Sequence, residues 1–150
     1  LKISFEQDTT LDVDQITVLV RAAETNAEVL ALLAQLNRLN QQVRTLPIVV
    51  DEQMIVLAVS DIVSIEVLAE QLTIHTRNQT YETRGHLKTI LAKLDPAIFI
   101  RVSRSAVLNL DQLSLLEPEF SGNLVAKMKT GLSLTVSRKY VSELKKALGM

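Results

Sequence analysis

Hydrophobic positions follow two different rhythms along the chain. Between residues 25 and 45 they recur every three or four positions: Val29, Leu32, Leu36, Leu39 and Val43 form one helical stripe. Thr25 and Glu28 have the spacing of a capping box, in which each side chain satisfies an orphan backbone donor of the other residue. Asn37 and Asn40 are weaker helix formers, so the helix is expected to fray toward Pro47. Ahead of it, residues 2–5 and 16–21 alternate apolar with polar side chains, which predicts two short strands joined by the polar stretch 6–15. Residues 1–45 therefore read as a small ββα unit. Its helical stripe spans about two heptads, and either packs on the two strands or forms a dimer seam.

From Leu46 the rhythm shortens. Residues 48–50, 54–59, 62–67 and 72–76 are β-branched runs, interrupted by polar turns at 51–53, 60–61, 69–71 and 77–79, and residues 80–83 close the last hairpin. Leu87, Ile90, Leu91 and Leu94 then have helical spacing, stopped by Asp95 and Pro96. Strands resume at 99–102, 107–110, 113–117, 124–128 and 132–136, with Gly131 marking the final turn. Ser137 is placed as the N-cap of a terminal helix that carries Val141, Leu144 and Leu148 on one face and Gly149 near its end. Residues 46–150 thus predict about nine short strands with one internal and one terminal helix, a mainly β member of the α+β class. No internal repeat or low-complexity stretch interrupts them.

Charge changes this picture only once it is located. The chain has 150 residues with 16 basic and 17 acidic side chains, a net charge of −1. A balance of that kind, spread evenly, argues against nucleic acid as a partner. Residues 1–74, however, hold four basic and eleven acidic groups, a balance of −7, and residues 75–150 hold twelve and six, a balance of +6. Such asymmetry points to an anionic partner, and the bland alternative is uneven scatter on a solvated surface. Counted from residue 46, the β segment has twelve basic and eleven acidic groups, only +1. The informative excess is therefore local, and requires that Asp51, Glu52, Asp61, Glu66 and Glu70 face away from any anion.

Composition removes most enzyme chemistry. There is no cysteine, so thiol catalysis, disulfides and cysteine-based zinc sites are absent. His75 and His86 lack metal-ligand spacing and read as solvated or strand-surface side chains. Four scattered glycines build no phosphate-cradling loop. Lys129, Thr130 and Gly131 match a fragment of a β-lactamase signature without its partners, and read as a hairpin turn. No catalytic residue, cofactor, metal or small-molecule substrate is expected. No apolar run is long enough to span a bilayer, and the first residues lack the layout of a signal peptide, so the expected compartment is the cytoplasm.

The basic residues that remain lie at strand ends and helix starts. Arg101, Ser103, Arg104 and Ser105 sit between two β runs, and Ser137, Arg138 and Lys139 sit where the last strand becomes the last helix. Serine hydroxyls and helix N-terminal amides bind phosphates and fix register, while an arginine can fork onto guanine O6 and N7 in the major groove. The competing structural reading pairs Arg101 and Arg104 with Asp95, Asp111 or Glu117. Arg101 also alternates with Ile100 and Val102, which suits a sheet face.

Taken in order, these segments resemble the LytTR DNA-binding domain family. The resemblance rests on residues 61–66 (Asp-Ile-Val-Ser-Ile-Glu), 80–87 (Thr-Tyr-Glu-Thr-Arg-Gly-His-Leu), 94–96 (Leu-Asp-Pro), 99–110 (Phe-Ile-Arg-Val-Ser-Arg-Ser-Ala-Val-Leu-Asn-Leu) and 136–140 (Val-Ser-Arg-Lys-Tyr). It spans nearly all of 46–150. It implies an elongated, mostly antiparallel β fold that inserts loops into successive major grooves of double-stranded DNA, as a transcriptional regulator acting as a homodimer on paired half-sites. It implies three contact regions: the loop at 68–71 with Gln71, then Ser103, Arg104 and Ser105, and then Ser137, Arg138 and Lys139, with Arg101 beside the second. Where many relatives carry a basic or histidine side chain in the first region, this chain has Ala69, Glu70 and Gln71. Glu70 would repel phosphates, although a glutamate can accept from cytosine N4. The segment before the β domain is too short for the phosphoacceptor receiver domain of many such regulators, and resembles the extension of stand-alone members, some of which are restrained by a small membrane protein. On that resemblance the acidic 1–45 unit is a candidate for dimerisation or for docking such an inhibitor. The alternative is a protein-interaction β module whose basic face meets an acidic protein.

Overall fold

The computed structural model describes residues 1–13, 15–40 and 44–150. It divides into two compact units, Leu1–Asn40 and Gln41–Met150.

In the first unit the helix forms as α1, Ala27–Asn40, but the two expected strands do not: no described residue before α1 is in a strand. Ile3, Phe5, Ile16 and Val18 are 86, 91, 88 and 62 % exposed. Two short strands with nothing covering their apolar face are marginal in water, so alternation here had no sheet to enter. The capping box is also corrected. Asn26, one residue after Thr25, is the cap: its Oδ1 accepts from the Val29 amide at 3.0 Å. Val29, Leu32 and Leu36 are half-buried on one face of α1, as their spacing predicts, whereas Leu39 of the same stripe is 63 % exposed, and Val43 lies outside the described residues. In the preceding segment the Asp8 carboxylate accepts the Thr10 hydroxyl and amide, which hold its pKa below the usual carboxylate range.

The second unit is antiparallel throughout. Strands β1 (Thr45–Val50) and β2 (Gln53–Ala58) form a hairpin. Its two-residue turn puts Asp51 and Glu52 at φ 48° and 65°, the backbone that matches strand twist. A five-stranded sheet runs in the order β5-β4-β3-β7-β6, built from β3 (Ile62–Leu68), β4 (Gln71–Thr76), β5 (Thr80–Arg84), β6 (Phe99–Ser103) and β7 (Ala106–Asn109). Strands β8 (Leu113–Pro118), β9 (Leu124–Met128) and β10 (Ser133–Val136) form a third sheet. Helix α2 (Leu87–Leu91) is shorter than its apolar spacing suggested, yet Leu87, Ile90 and Leu94 are all buried. Helix α3 (Arg138–Ala147) ends at Gly149, whose φ of 80° suits the left-handed stop. Ten strands form among the described residues where about nine were expected.

The five-stranded sheet is covered on both faces, which explains the near-continuous apolar runs of β3 and β7. On one face Ile62, Ile65, Leu72, Ile74, Phe99 and Val107 pack with Leu46, Ile48 and Leu57 of the first hairpin and Leu87 and Ile90 of α2. On the other, Val63, Val102, Ala106 and Leu108 pack with Ala126, Met128, Leu134 and Val136 of the third sheet and Leu144 of α3. Two layers of covering structure leave the turns at the sheet's ends free to project.

Candidate nucleic-acid interface

Antiparallel pairing decides which turns share an end of the sheet. Glu66 of β3 faces Ala106 of β7, so the β3–β4 turn and the β6–β7 turn emerge together. The Val67 amide donates to the Ser105 carbonyl at 2.8 Å and ties them directly. The third region joins through a bulge. Arg101 faces Val107 and Ser103 faces Ala106, leaving Val102 as the extra residue. Its side chain is buried, and its carbonyl accepts the Ser137 amide at 2.8 Å. The start of α3 is thereby fastened to the strand that delivers Ser103, Arg104 and Ser105. The fold brings all three sequence-predicted regions to one end of the unit.

Their side chains have distinct duties. Arg104 is exposed at the tip of the β6–β7 turn. Ser103 Oγ accepts the Ser105 amide at 3.2 Å, so its hydroxyl shapes the turn, while Ser105 is exposed. Arg101 stands back from the turn, half-buried on β6 on the same face as Phe99. Among the described residues neither Arg101 nor Arg104 pairs with a carboxylate, and Glu117 pairs with Lys127 at 3.2 Å instead. Arg138 and Lys139 are exposed at the start of α3 and equally unpaired among the described residues. Lys139 Nζ lies 5.8 Å from the centre of the Tyr140 ring.

Ser137 requires a correction. It occupies the N-cap position with extended backbone (φ −64°, ψ 140°), but its hydroxyl makes no cap hydrogen bond. The cap is supplied from the β8–β9 loop: Asn123 Oδ1, at the entrance to β9, accepts the Arg138 amide at 2.9 Å. Sequence reading missed Asn123 because caps are sought next to the helix, and this one lies 15 residues away. The only available signal was the Gly122-Asn123 pair, which marks a turn without naming its partner.

The first region carries its own compensation. Ala69 takes a left-handed backbone (φ 54°) and Leu68 is 84 % exposed. Glu70 is paired with Arg84 at 3.2 Å, and Gln71 Nε2 donates to Glu82 at 3.0 Å. Arg84 was not among the expected site residues, yet it offsets the charge that Glu70 would present to phosphate. Of the other acids of concern, Asp61 pairs with Arg77 at 2.6 Å and Glu66 with His75 at 3.0 Å, whereas Asp51 and Glu52 are exposed in the β1–β2 turn and Asp51 lines one surface with Leu68, Ala69, Glu70 and Gln71, so that expectation is met only in part.

Comparison with known proteins agrees with this geometry. The chain is 33 % identical over 105 residues to the sensory transduction protein LytT of Enterococcus faecalis, covering 70 % of this chain and 43 % of that protein. It is 28 % identical over 107 residues to the transcriptional regulatory protein LytR of Staphylococcus aureus, covering 71 % and 44 %. It thus spans less than half the length of these relatives. The solved LytTr DNA-binding domain of a methyl-accepting/DNA response regulator from Bacillus cereus superposes with a TM-score of 0.65 at 20 % identity, over 72 % of this chain and 99 % of that one, which establishes the shared fold. The sequence profile of the LytTr DNA-binding domain matches residues 52–149, and the chain belongs to that family.

Proposed function

We propose that this protein is a transcriptional regulator whose 46–150 domain reads double-stranded DNA through three adjacent regions set into successive major grooves. The observation that carries the reading is the convergence of Arg104, Arg138 and Lys139, unpaired among the described residues, at one end of a LytTr fold, tied by the Val67–Ser105 and Ser137–Val102 hydrogen bonds. Arg104 reads a base. Ser105, Ser137 and the start of α3 hold phosphates and fix register. Lys139 and Arg138 add charge and a second base contact, Ser103 shapes the β6–β7 turn, and Arg101 supports it from the strand. Gln71 contributes only where DNA displaces Glu82. The acidic 1–45 unit serves dimerisation on paired half-sites or docking of a membrane-bound inhibitor, and the protein works in the cytoplasm without catalysis.

A duplex selected from a randomised pool, titrated with salt, tests this. The logarithm of affinity should fall by about 0.9 per neutralised phosphate for each logarithmic unit of salt. Arg104→Ala should weaken binding by about 1–3 kcal/mol and relax preference at one base position. Flat or absent binding at low salt would favour a module that meets an acidic protein. Unchanged affinity and preference in Arg104→Ala would remove its base-reading role.

A further inference from the structure

We propose that the β8–β9 loop is a positioning device for Arg138, with Asn123 and Gly122 as its working residues. The inference rests on the reading of Arg138 as a DNA contact. Three observations carry it. The Arg138 amide, the first of α3, is held by Asn123 Oδ1 at 2.9 Å. A β-carbon placed on Gly122 would lie 3.0 Å from Arg138 Cδ and 3.3 Å from its Cγ, so the bare backbone of Gly122 is the wall along which the arginine stem lies. Gly122 has φ 80° and Ser121 φ 66°, two successive left-handed residues that fold the loop against the helix start.

The consequence is specific to this site. An arginine with a free stem has many rotamers, and ordering it on DNA costs entropy that a pre-set stem avoids. Asn123 fixes the backbone end of Arg138 and Gly122 flanks the stem, so the guanidinium is presented from a defined base. By taking over the capping role, Asn123 also leaves the Ser137 hydroxyl without a cap hydrogen bond, free to meet a phosphate. One loop remote in sequence thereby sets two groups of the third contact region.

A double-mutant cycle on the full chain tests this, using the duplex the wild-type protein selects from a randomised pool. Arg138→Ala should weaken binding by about tenfold or more. Asn123→Ala and Gly122→Ala should each weaken it by about threefold to tenfold. In the Arg138→Ala background Gly122→Ala should have little further effect, because it acts through a side chain already absent, and Asn123→Ala should keep only the smaller loss that runs through Ser137. Losses that simply add, or an Asn123→Ala variant that melts lower yet binds with unchanged affinity and salt dependence, would overturn the positioning role while leaving Arg138 as a contact. Wild-type binding by Arg138→Ala would instead remove the contact, and the inference with it.

Discussion

Ser64 and Asn109 are the two buried polar side chains of the β unit among the described residues, and they behave in opposite ways. Asn109 is 2 % exposed and doubly satisfied: its Nδ2 donates to the Ile62 carbonyl at 2.8 Å and its Oδ1 accepts the Asp111 amide at 2.9 Å. Ser64, with no exposure, has no partner for its hydroxyl among the described residues. A buried hydroxyl without a hydrogen bond costs about 1–3 kcal/mol, so Ser64→Ala is expected to raise stability by about 1 kcal/mol. Asn109→Ala, which strands a carbonyl and an amide, should lower it by about 2–3 kcal/mol. Thermal unfolding of the two variants checks both signs, and a Ser64→Ala variant that melts lower would reveal a partner for the hydroxyl. Neither role is visible in sequence, where both residues merely punctuate apolar runs. The cap of α3 has the same character. Position Ser137 was legible from its place before a helical stripe, but the bonding atom belongs to Asn123, because a cap needs only an acceptor in the right place and the third sheet delivers one.

The first hairpin shows what alternation can and cannot specify for an element. Leu46 faces Leu57 and Ile48 faces Ile55, and this face packs into the core; Pro47 faces Val56 and Val49 faces Met54 on the outer face. Both faces are apolar, so periodicity alone could not say which was buried. The outcome is unequal: Leu57 is 5 % exposed and Val56 is 62 % exposed. Leu57→Ala should therefore cost about 2–4 kcal/mol, and Val56→Thr less than about 0.5 kcal/mol, read from urea midpoints. Equal losses would mean that the outer face is covered. The β3–β4 turn gives a third case. Ala69 holds φ 54°, a region that costs a residue with a β-carbon about 1–2 kcal/mol, so Ala69→Gly should be neutral or stabilising by up to about 1 kcal/mol. From residue 45 onward the strands were legible because β-branched runs met real neighbours. At residues 2–5 and 16–21 a similar pattern yielded no strand, since a strand is defined by its partner and neither segment has one among the described residues.

At the scale of the molecule, charge and architecture have to be read together. The β domain is nearly neutral, and among the described residues the fold pairs Asp61, Glu70 and Glu117 with Arg77, Arg84 and Lys127 and hydrogen-bonds Glu66 to His75, leaving Arg104, Arg138 and Lys139 outside any ion pair. That pairing could not be read from a count of charges. The two hydrophobic cores are built wholly from residues beyond 44, and no described residue of Leu1–Asn40 is fully buried. Removing residues 1–40 should therefore leave the melting temperature of the remainder within about 2 °C, since surface changes away from packed features rarely exceed ~0.5 kcal/mol. Affinity for a duplex with a single half-site should likewise be unchanged. A duplex with two half-sites separates the proposed roles of the removed unit. If α1 joins two copies, the intact chain gains from effective concentration on the paired site, an advantage of about a hundredfold or more that the shortened chain should lose. An advantage that survives the truncation would place dimerisation in the β domain and leave the acidic unit to inhibitor docking.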